Sequence, residues 1–318
     1  MAEATDPILV IRLGALGDVV LSLGPMAAIR QHHPKARITL LTTRPYAAWL
    51  AKSPYFDEVW IDDRAPWWRP DRLLALRRRL IGGGFARVYD LQTSGRSSRY
   101  LKFWSGRAAP EWSGIAPGAS HPDSNPGRSV AHTIDRQREQ LRLAGIPVTP
   151  LTDLAWMKST DLGRFNLPQR YALIIPGGSA HRPEKRWPVE NYAKLARLLS
   201  SAGITPVIIG GGDERGLAST ILTACPTARD LTTQTSFEDL VTLARSATLA
   251  AGNDTGPMHL IAATGTPGVV LFSRHSNPDL CAPRQPRMTI LRRDDLVTLT
   301  VDEVFQPLED YLVLAKPL

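Results

Sequence analysis

The sequence predicts an α/β protein made of two Rossmann-like, doubly wound parallel-sheet domains. Three observations carry this. The length, 318 residues, is that of two domains at roughly 100–200 residues each. Short, continuous apolar runs alternate with helical patterns, the signature of a sheet covered on both faces. The runs end in glycine turns that carry polar side chains, and open α/β sheets bind ligands at that carboxyl edge. Two such domains facing each other would gather those turns around one cleft.

Taken in order, Ile8–Leu13 is a buried strand, followed by the turn Gly14-Ala-Leu-Gly17 and Asp18. Val19, Val20, Leu23, Met26, Ala27 and Ile29 then give a helical apolar pattern. Asp18 falls in the first turn of that helix, where it either caps the free N–H groups or performs chemistry. The turn is neither a P-loop, since no Gly-Lys-Ser/Thr follows, nor a full dinucleotide fingerprint. Residues 37–42 and 58–61 read as strands, with a helix at 45–51 between them. Residues 69–80 form a basic helix with Arg72, Arg77, Arg78 and Arg79, its Leu73, Leu74, Leu76 and Leu80 expected to face inward. Residues 87–91 are a strand whose following loop, 92–99, carries Arg96 and Arg99, forks suited to phosphate or carboxylate. Residues 108–128, rich in Pro, Gly and Ser, read as a long loop. The helix at 132–145 has a charged face, Asp135, Arg136, Arg138 and Glu139, expected to be solvated.

The plan then repeats. Strand 171–175 ends in Pro176-Gly-Gly-Ser179, and the loop through Lys185 leads into a helix at 189–202. Strand 205–209 ends in Gly210-Gly-Gly-Asp-Glu-Arg215, which opens a helix at 217–224. Ser236 and Asp239 start the next helix in a near capping box. The stretch 250–272 organises the second half: a small-residue strand end, the turn Gly252-Asn-Asp-Thr-Gly256, Pro257 in a first helical turn, a short helix and another buried strand. Its helix N-terminus favours an anion, and Asp254 and Thr255 are candidate caps. A cap-like Thr300-Val-Asp-Glu303 starts a closing helix. The expected divisions are a first domain at 1–160, a second at 161–300 and a closing segment at 301–318.

Composition excludes several classes. Hydrophobic residues make up 43%, enough for two cores. No apolar run reaches the roughly 18 residues of a membrane helix, and the polar, acidic start carries no secretory pattern. Cys225 and Cys281 sit far apart in no metal-like spacing, which points to a reducing compartment without disulfides. The expected location is cytoplasmic. The net charge of +8 favours acidic partners. No nucleic-acid-binding motif accompanies it, and the aromatics are not interleaved with the arginines, so nucleic acid is not an expected partner.

Four segments, Arg12-Leu-Gly-Ala-Leu-Gly-Asp18 onward, Pro176-Gly-Gly-Ser179 with Lys185-Arg-Trp-Pro188, Gly210-Gly-Gly-Asp-Glu214, and Asn253-Asp-Thr-Gly-Pro-Met-His259, together resemble glycosyltransferase family 9, the ADP-heptose:lipopolysaccharide heptosyltransferases. The resemblance implies a GT-B fold in which 1–160 bind the acceptor, 161–300 bind the nucleotide sugar, and the C-terminal helix at 301–318 packs back on the N-terminal domain. It implies inverting, metal-independent transfer from a nucleotide-sugar donor, typically ADP-heptose, to a lipopolysaccharide inner-core acceptor. No cofactor is implied, and the setting is peripheral to the cytoplasmic face of the inner membrane. By this resemblance Asp18 matches the catalytic carboxylate and Lys185 a basic residue near the nucleotide phosphates. Ser179, Asp254, Thr255, Gly256 and His259 line the donor site, His259 facing either the donor or the core. Asp213 or Glu214 lies near the ribose. Gly14, Gly17, Arg72, Arg96 and Arg99 fall in the acceptor half. One departure is that Phe272 is followed by Ser273-Arg-His-Ser-Asn-Pro, where many relatives continue Phe-Gly-x-Thr. The alternative is a GT-B enzyme using another nucleotide sugar for a different surface glycan.

Overall fold

The computed structural model describes residues 6–66, 68–178 and 183–314, the last without its side chain. The chain forms two compact units that divide between Trp156 and Met157.

In the first unit the elements are β1 (Ile8–Ile11), α1 (Leu16–Leu21), α2 (Leu23–His32), β2 (Ile38–Thr42), α3 (Arg44–Leu50), β3 (Glu58–Ile61), α4 (Pro70–Gly82), β4 (Arg87–Asp90), α5 (Gly95–Tyr100), β5 (Glu111–Gly114), β6 (His121–Pro122) and α6 (Thr133–Leu143). Among the described residues the strands form one parallel sheet in the order β3-β2-β1-β4-β5-β6. β1 is central, with Ile8 beside both Ile38 and Arg87. That position explains its unbroken apolar run, because both of its faces are covered. Leu9, Ile11, Leu41, Val88 and Trp112 join one core.

In the second unit the elements are β7 (Tyr171–Ile175), α7 (Val189–Ser201), β8 (Thr205–Ile208), α8 (Arg215–Ala224), β9 (Arg229–Asp230), α9 (Phe237–Ser246), β10 (Leu249–Asn253), α10 (Gly256–Ala263), β11 (Gly268–Phe272), α11 (Pro278–Cys281), β12 (Met288–Arg292) and α12 (Val301–Leu314). The sheet order is β12-β11-β10-β7-β8-β9, again parallel among the described residues. Gly252 and Gly268 are needed here for close approach. A Cβ on Gly252 would lie 2.7 Å from the Ile175 Cβ, and one on Gly268 2.3 Å from the Ala250 carbonyl oxygen.

Several expectations are corrected. The long loop at 108–128 contains β5 and β6, which extend the sheet. The loop after β4 is helical from Gly95, because Ser94 accepts the Ser97 N–H and caps a segment with no apolar period. Leu74 does not face inward but is 48% exposed. In the closing helix, Val304 and Leu308 of α12 are buried in the second unit's core, with Val301, Phe305, Tyr311 and Leu312 packed against it. Its apolar stripe at helical spacing is thus taken up by α7 and β11. The Thr300–Glu303 and Ser236–Asp239 caps form as expected.

Candidate active site

Each sheet has a switch point where the strand order reverses, and each presents polar groups there. In the first unit it lies between β1 and β4. Arg12, one residue past β1, is only 4% exposed. Its Nη1 donates to the Leu91 carbonyl at 2.7 Å, and its Nη2 lies 3.2 Å from Asp18 Oδ1. Burial pulls the Arg12 guanidinium below its ordinary value, while the Asp18 and Asp90 carboxylates oppose that shift. Asp18 sits in the first turn of α1, and its other oxygen accepts the Ala15 N–H at 3.3 Å. The carboxylate caps the turn, and its side chain stays 43% exposed.

Asp18 and Arg12 border a recess of about 160 Å³ that Thr93, Arg128 and Arg136 also line. Arg128 is ion-paired to Asp123 and donates to Thr93 Oγ1 at 2.8 Å. Arg136 donates to Thr133 Oγ1 at 2.7 Å. Beneath them Asp90 is fully buried and accepts the N–H groups of Gln92 and Thr93 at 3.1 and 3.0 Å. Burial pushes its carboxyl up to about 7, against those hydrogen bonds and the nearby Arg12. Three guanidinium groups gathered here are suited to an anionic group.

The other acceptor-half candidates lie elsewhere. Gly14 adopts φ +121°, and a Cβ there would meet the Tyr46 ring at 2.8 Å, so only glycine fits. Gly17 lies in the first turn of α1. Arg72 lines a separate recess of about 400 Å³ with Asp63 and Arg79. Arg96 donates to the carbonyls of Arg64 and Ala65 at 3.2 and 3.1 Å, which ties down the segment between β3 and α4. Arg99 bonds back to Gly95 in its own helix at 2.9 Å. None of these three arginines lines the recess at Asp18. The residues that do, Arg128 and Arg136, were missed. Arg128 falls in the stretch read as a loop, and Arg136 on a face read as solvated. Arg12 was already within the quoted motif, and its charge in an apolar strand end was the available signal.

In the second unit the switch point lies between β7 and β10. Asn253, fully buried at the end of β10, joins the two edges. Its Nδ2 donates to the carbonyls of Pro176 and Gly177, each at 2.9 Å, and its Oδ1 accepts the Trp187 N–H at 3.0 Å. Asp254 follows and is nearly buried. Lys185 Nζ lies 3.4 Å from its Oδ2, His259 Nε2 lies 3.5 Å from its Oδ1, and Ser276 donates to Oδ2. Burial alone would raise its carboxyl, but the hydrogen bonds from His259 and Ser276 and the charge of Lys185 prevail and hold it below the usual range. Gly256 and Pro257 open α10. Thr255 occupies the N-cap position, yet its hydroxyl makes no capping bond, which corrects that expectation. Its Oγ1 and the Nδ1 of His259 are buried without a hydrogen-bond partner among the described residues. His259 is thus engaged on one nitrogen and open on the other.

The acids at 213 and 214 separate. Asp213 is exposed, whereas Glu214 turns in beneath the β7 and β8 turns. It accepts the Gly211 N–H at 2.7 Å and lies 3.9 Å from Arg186, which itself donates to the Gly178 carbonyl at 2.7 Å. A Cβ on Gly177 would come within 2.5 Å of Glu214 and one on Gly210 within 2.6 Å, so both glycines make its room. Ser179 lies outside the described residues. Among those described, no three His, Cys, Asp or Glu side chains gather to hold a metal ion, and no helix is long and apolar enough to cross a membrane.

Two parallel doubly wound sheets, the second with a lysine and a helix N-terminus at its switch point, are the arrangement of the GT-B fold. Solved structures share the fold. A glycosyltransferase family 9 protein from Veillonella parvula superposes with a TM-score of 0.83 at 21% identity, covering 99% of both chains. The Escherichia coli ADP-heptose lipopolysaccharide heptosyltransferase II gives 0.77 at 22% identity, over 97% of this chain and 99% of that one. The lipopolysaccharide core heptosyltransferase OpsX of Haemophilus influenzae is 24% identical over 303 residues, covering 88% of this chain and 82% of its own. Residues 73–302 match the model of glycosyltransferase family 9 (heptosyltransferase), and the chain belongs to that family.

Proposed function

We propose that this enzyme moves a heptose from ADP-heptose to an inner-core lipopolysaccharide acceptor, with inversion and without a metal, at the cytoplasmic face of the inner membrane. Asp18 accepts the proton of the acceptor hydroxyl as its oxygen attacks the anomeric carbon. The bond from that carbon to the diphosphate breaks, and ADP leaves. Lys185 and the free N–H groups at the start of α10 hold the departing charge, while Thr255 Oγ1 and His259 Nδ1 supply the open hydrogen-bonding positions. Glu214, rather than Asp213, is the acid placed for the ribose. Arg12, Arg128 and Arg136 hold an anionic acceptor group beside Asp18.

The observation that carries this reading is the half-exposed Asp18 carboxylate, held by a buried arginine in a recess walled by two more. The names of the relatives support the donor and acceptor: OpsX is a lipopolysaccharide core heptosyltransferase, and an E. coli relative was solved with an ADP-2-deoxy-2-fluoro heptose. The test is transfer by purified protein across ADP-, UDP- and GDP-sugars, with Asp18→Asn alongside. The expected result is preference for ADP-heptose and a kcat loss of about 10²- to 10⁴-fold in the variant, with donor Kd unchanged. Faster turnover of a UDP- or GDP-sugar would establish the alternative donor. A variant retaining most of its kcat would remove Asp18 as the base.

A further inference from the structure

We propose that the outer face of α4 is a docking surface for an anionic lipid bilayer. The helix buries Leu80 and half-buries Leu73, Leu76 and Arg77 against the first unit. Its outward positions present Leu74, Ala75 and Arg78 to solvent, while Arg72 and Arg79 flank them along the recess they share with Asp63. Two large apolar side chains stand out there. Leu74 is 48% exposed, and Trp68, in the turn leading into the helix, is 65% exposed.

The charge at the outward positions and their flanks is basic on balance. The helix's acid, Asp71, is gripped by Arg69 through two hydrogen bonds of 3.1 and 3.0 Å. Among the described residues Arg72 and Arg78 enter no ion pair, and Arg79 stacks over Trp60 at 4.3 Å. The patch extends beyond the helix. Arg77 Nε donates to the Phe103 carbonyl at 3.2 Å, which fixes the short turn 101–104 against α4. That turn adds the exposed Lys102, and Arg107 follows it.

A basic face alone would fit any polyanion. Interleaving an indole and a leucine with guanidinium groups fits a lipid–water interface better. Rings and aliphatic stems sink to the acyl boundary while the cations meet headgroup phosphates. A nucleic acid or an acidic protein loop would gain little from Leu74. The choice of a membrane as partner deepens the location given under the proposed function and rests on it. The test below uses no transfer reaction, so the two stand or fall separately.

The full chain is sedimented with vesicles of phosphatidylcholine alone or with one-third phosphatidylglycerol. The expected result is binding to the anionic vesicles only, weakened by salt. Arg78→Glu with Lys102→Glu should lower the partition coefficient at least about 25-fold, taking about fivefold for each cation lost. Trp68→Ser with Leu74→Ser should lower it about tenfold. Leu74→Ser alone serves if the pair disturbs folding, judged by an unchanged thermal transition. The proposal is overturned by any of four results: no binding by the wild-type chain, equal binding to neutral vesicles, apolar variants that bind like wild type, or equally tight binding of an oligonucleotide or polyglutamate. Transfer to a lipid-free acceptor is measured in parallel. Its absence with vesicle binding intact would count against the proposed reaction and leave this surface standing.

Discussion

Replacing Asn253 by alanine should unlatch the two strand ends that form the second unit's switch point. The side chain is fully buried and makes three hydrogen bonds, two to carbonyls and one from the Trp187 N–H. Each such bond is worth about 0.5–1.5 kcal/mol net, and stranding a buried donor such as the Trp187 N–H costs about 1–3 kcal/mol. Both carbonyls keep a second lone pair, so the expected loss centres on about 3 kcal/mol. For a unit of this size that lowers Tm by roughly 6–12 °C. Calorimetry should show the shift in the transition of the second unit while that of the first stays in place. The same latch sets the Pro176–Gly178 turn against Asp254, so donor Kd should weaken in parallel. A stability loss below about 0.5 kcal/mol, or an unchanged donor Kd in a variant that melts early, would refute the role given to this side chain.

Four further outcomes follow from the geometry. Lys185→Met removes the cation 3.4 Å from Asp254, and ADP binding by calorimetric titration should weaken about tenfold or more. Gly14→Ala forces a side chain into φ +121° and onto Tyr46. It should cost about 1–3 kcal/mol in denaturant unfolding of the first unit. Asp90 is raised to about 7 by burial, so the folded state holds a proton that the unfolded chain releases near pH 4. Its contribution therefore falls as pH rises from about 4 to 7, and Asp90→Asn should gain stability relative to wild type across that window in pH-dependent melts. Asp239 behaves in the opposite sense. Burial would raise it, but bonds from Ser236, Thr160 and Arg164 bring it to about 2. The stability it lends is present above about pH 4 and lost as pH falls towards 2. Asp239→Asn should flatten the acid limb of the melting curve.

Much of the fold was legible because buried parallel strands leave a simple trace. β1, β7 and β11 read as continuous apolar runs because both faces of each are covered. The elements that were missed leave no such trace. β6 is two residues long and contains a proline, and α5 is a run of hydroxyls and arginines held by a serine cap. Leu74 looked inward by its apolar character alone, but the turn of α4 carries it outside. The stripe on α12 was visible as a stripe, yet a stripe does not name the surface that will cover it.

The sequence by itself determined the repeated strand–turn–helix plan, the family, and the motifs at which chemistry would be sought, since these depend on local order and spacing. Only the tertiary structure decided which charges meet. Arg128 and Arg136 reach the Asp18 recess from more than a hundred residues away along the chain, because α6 packs against α1, α2, β5 and β6. Ser276 finds Asp254, and Glu214 comes beside Gly177 and Arg186, for the same reason. A side chain's partners are set by which strand edges adjoin, and pairings of high sequence separation leave no mark on the residues in between.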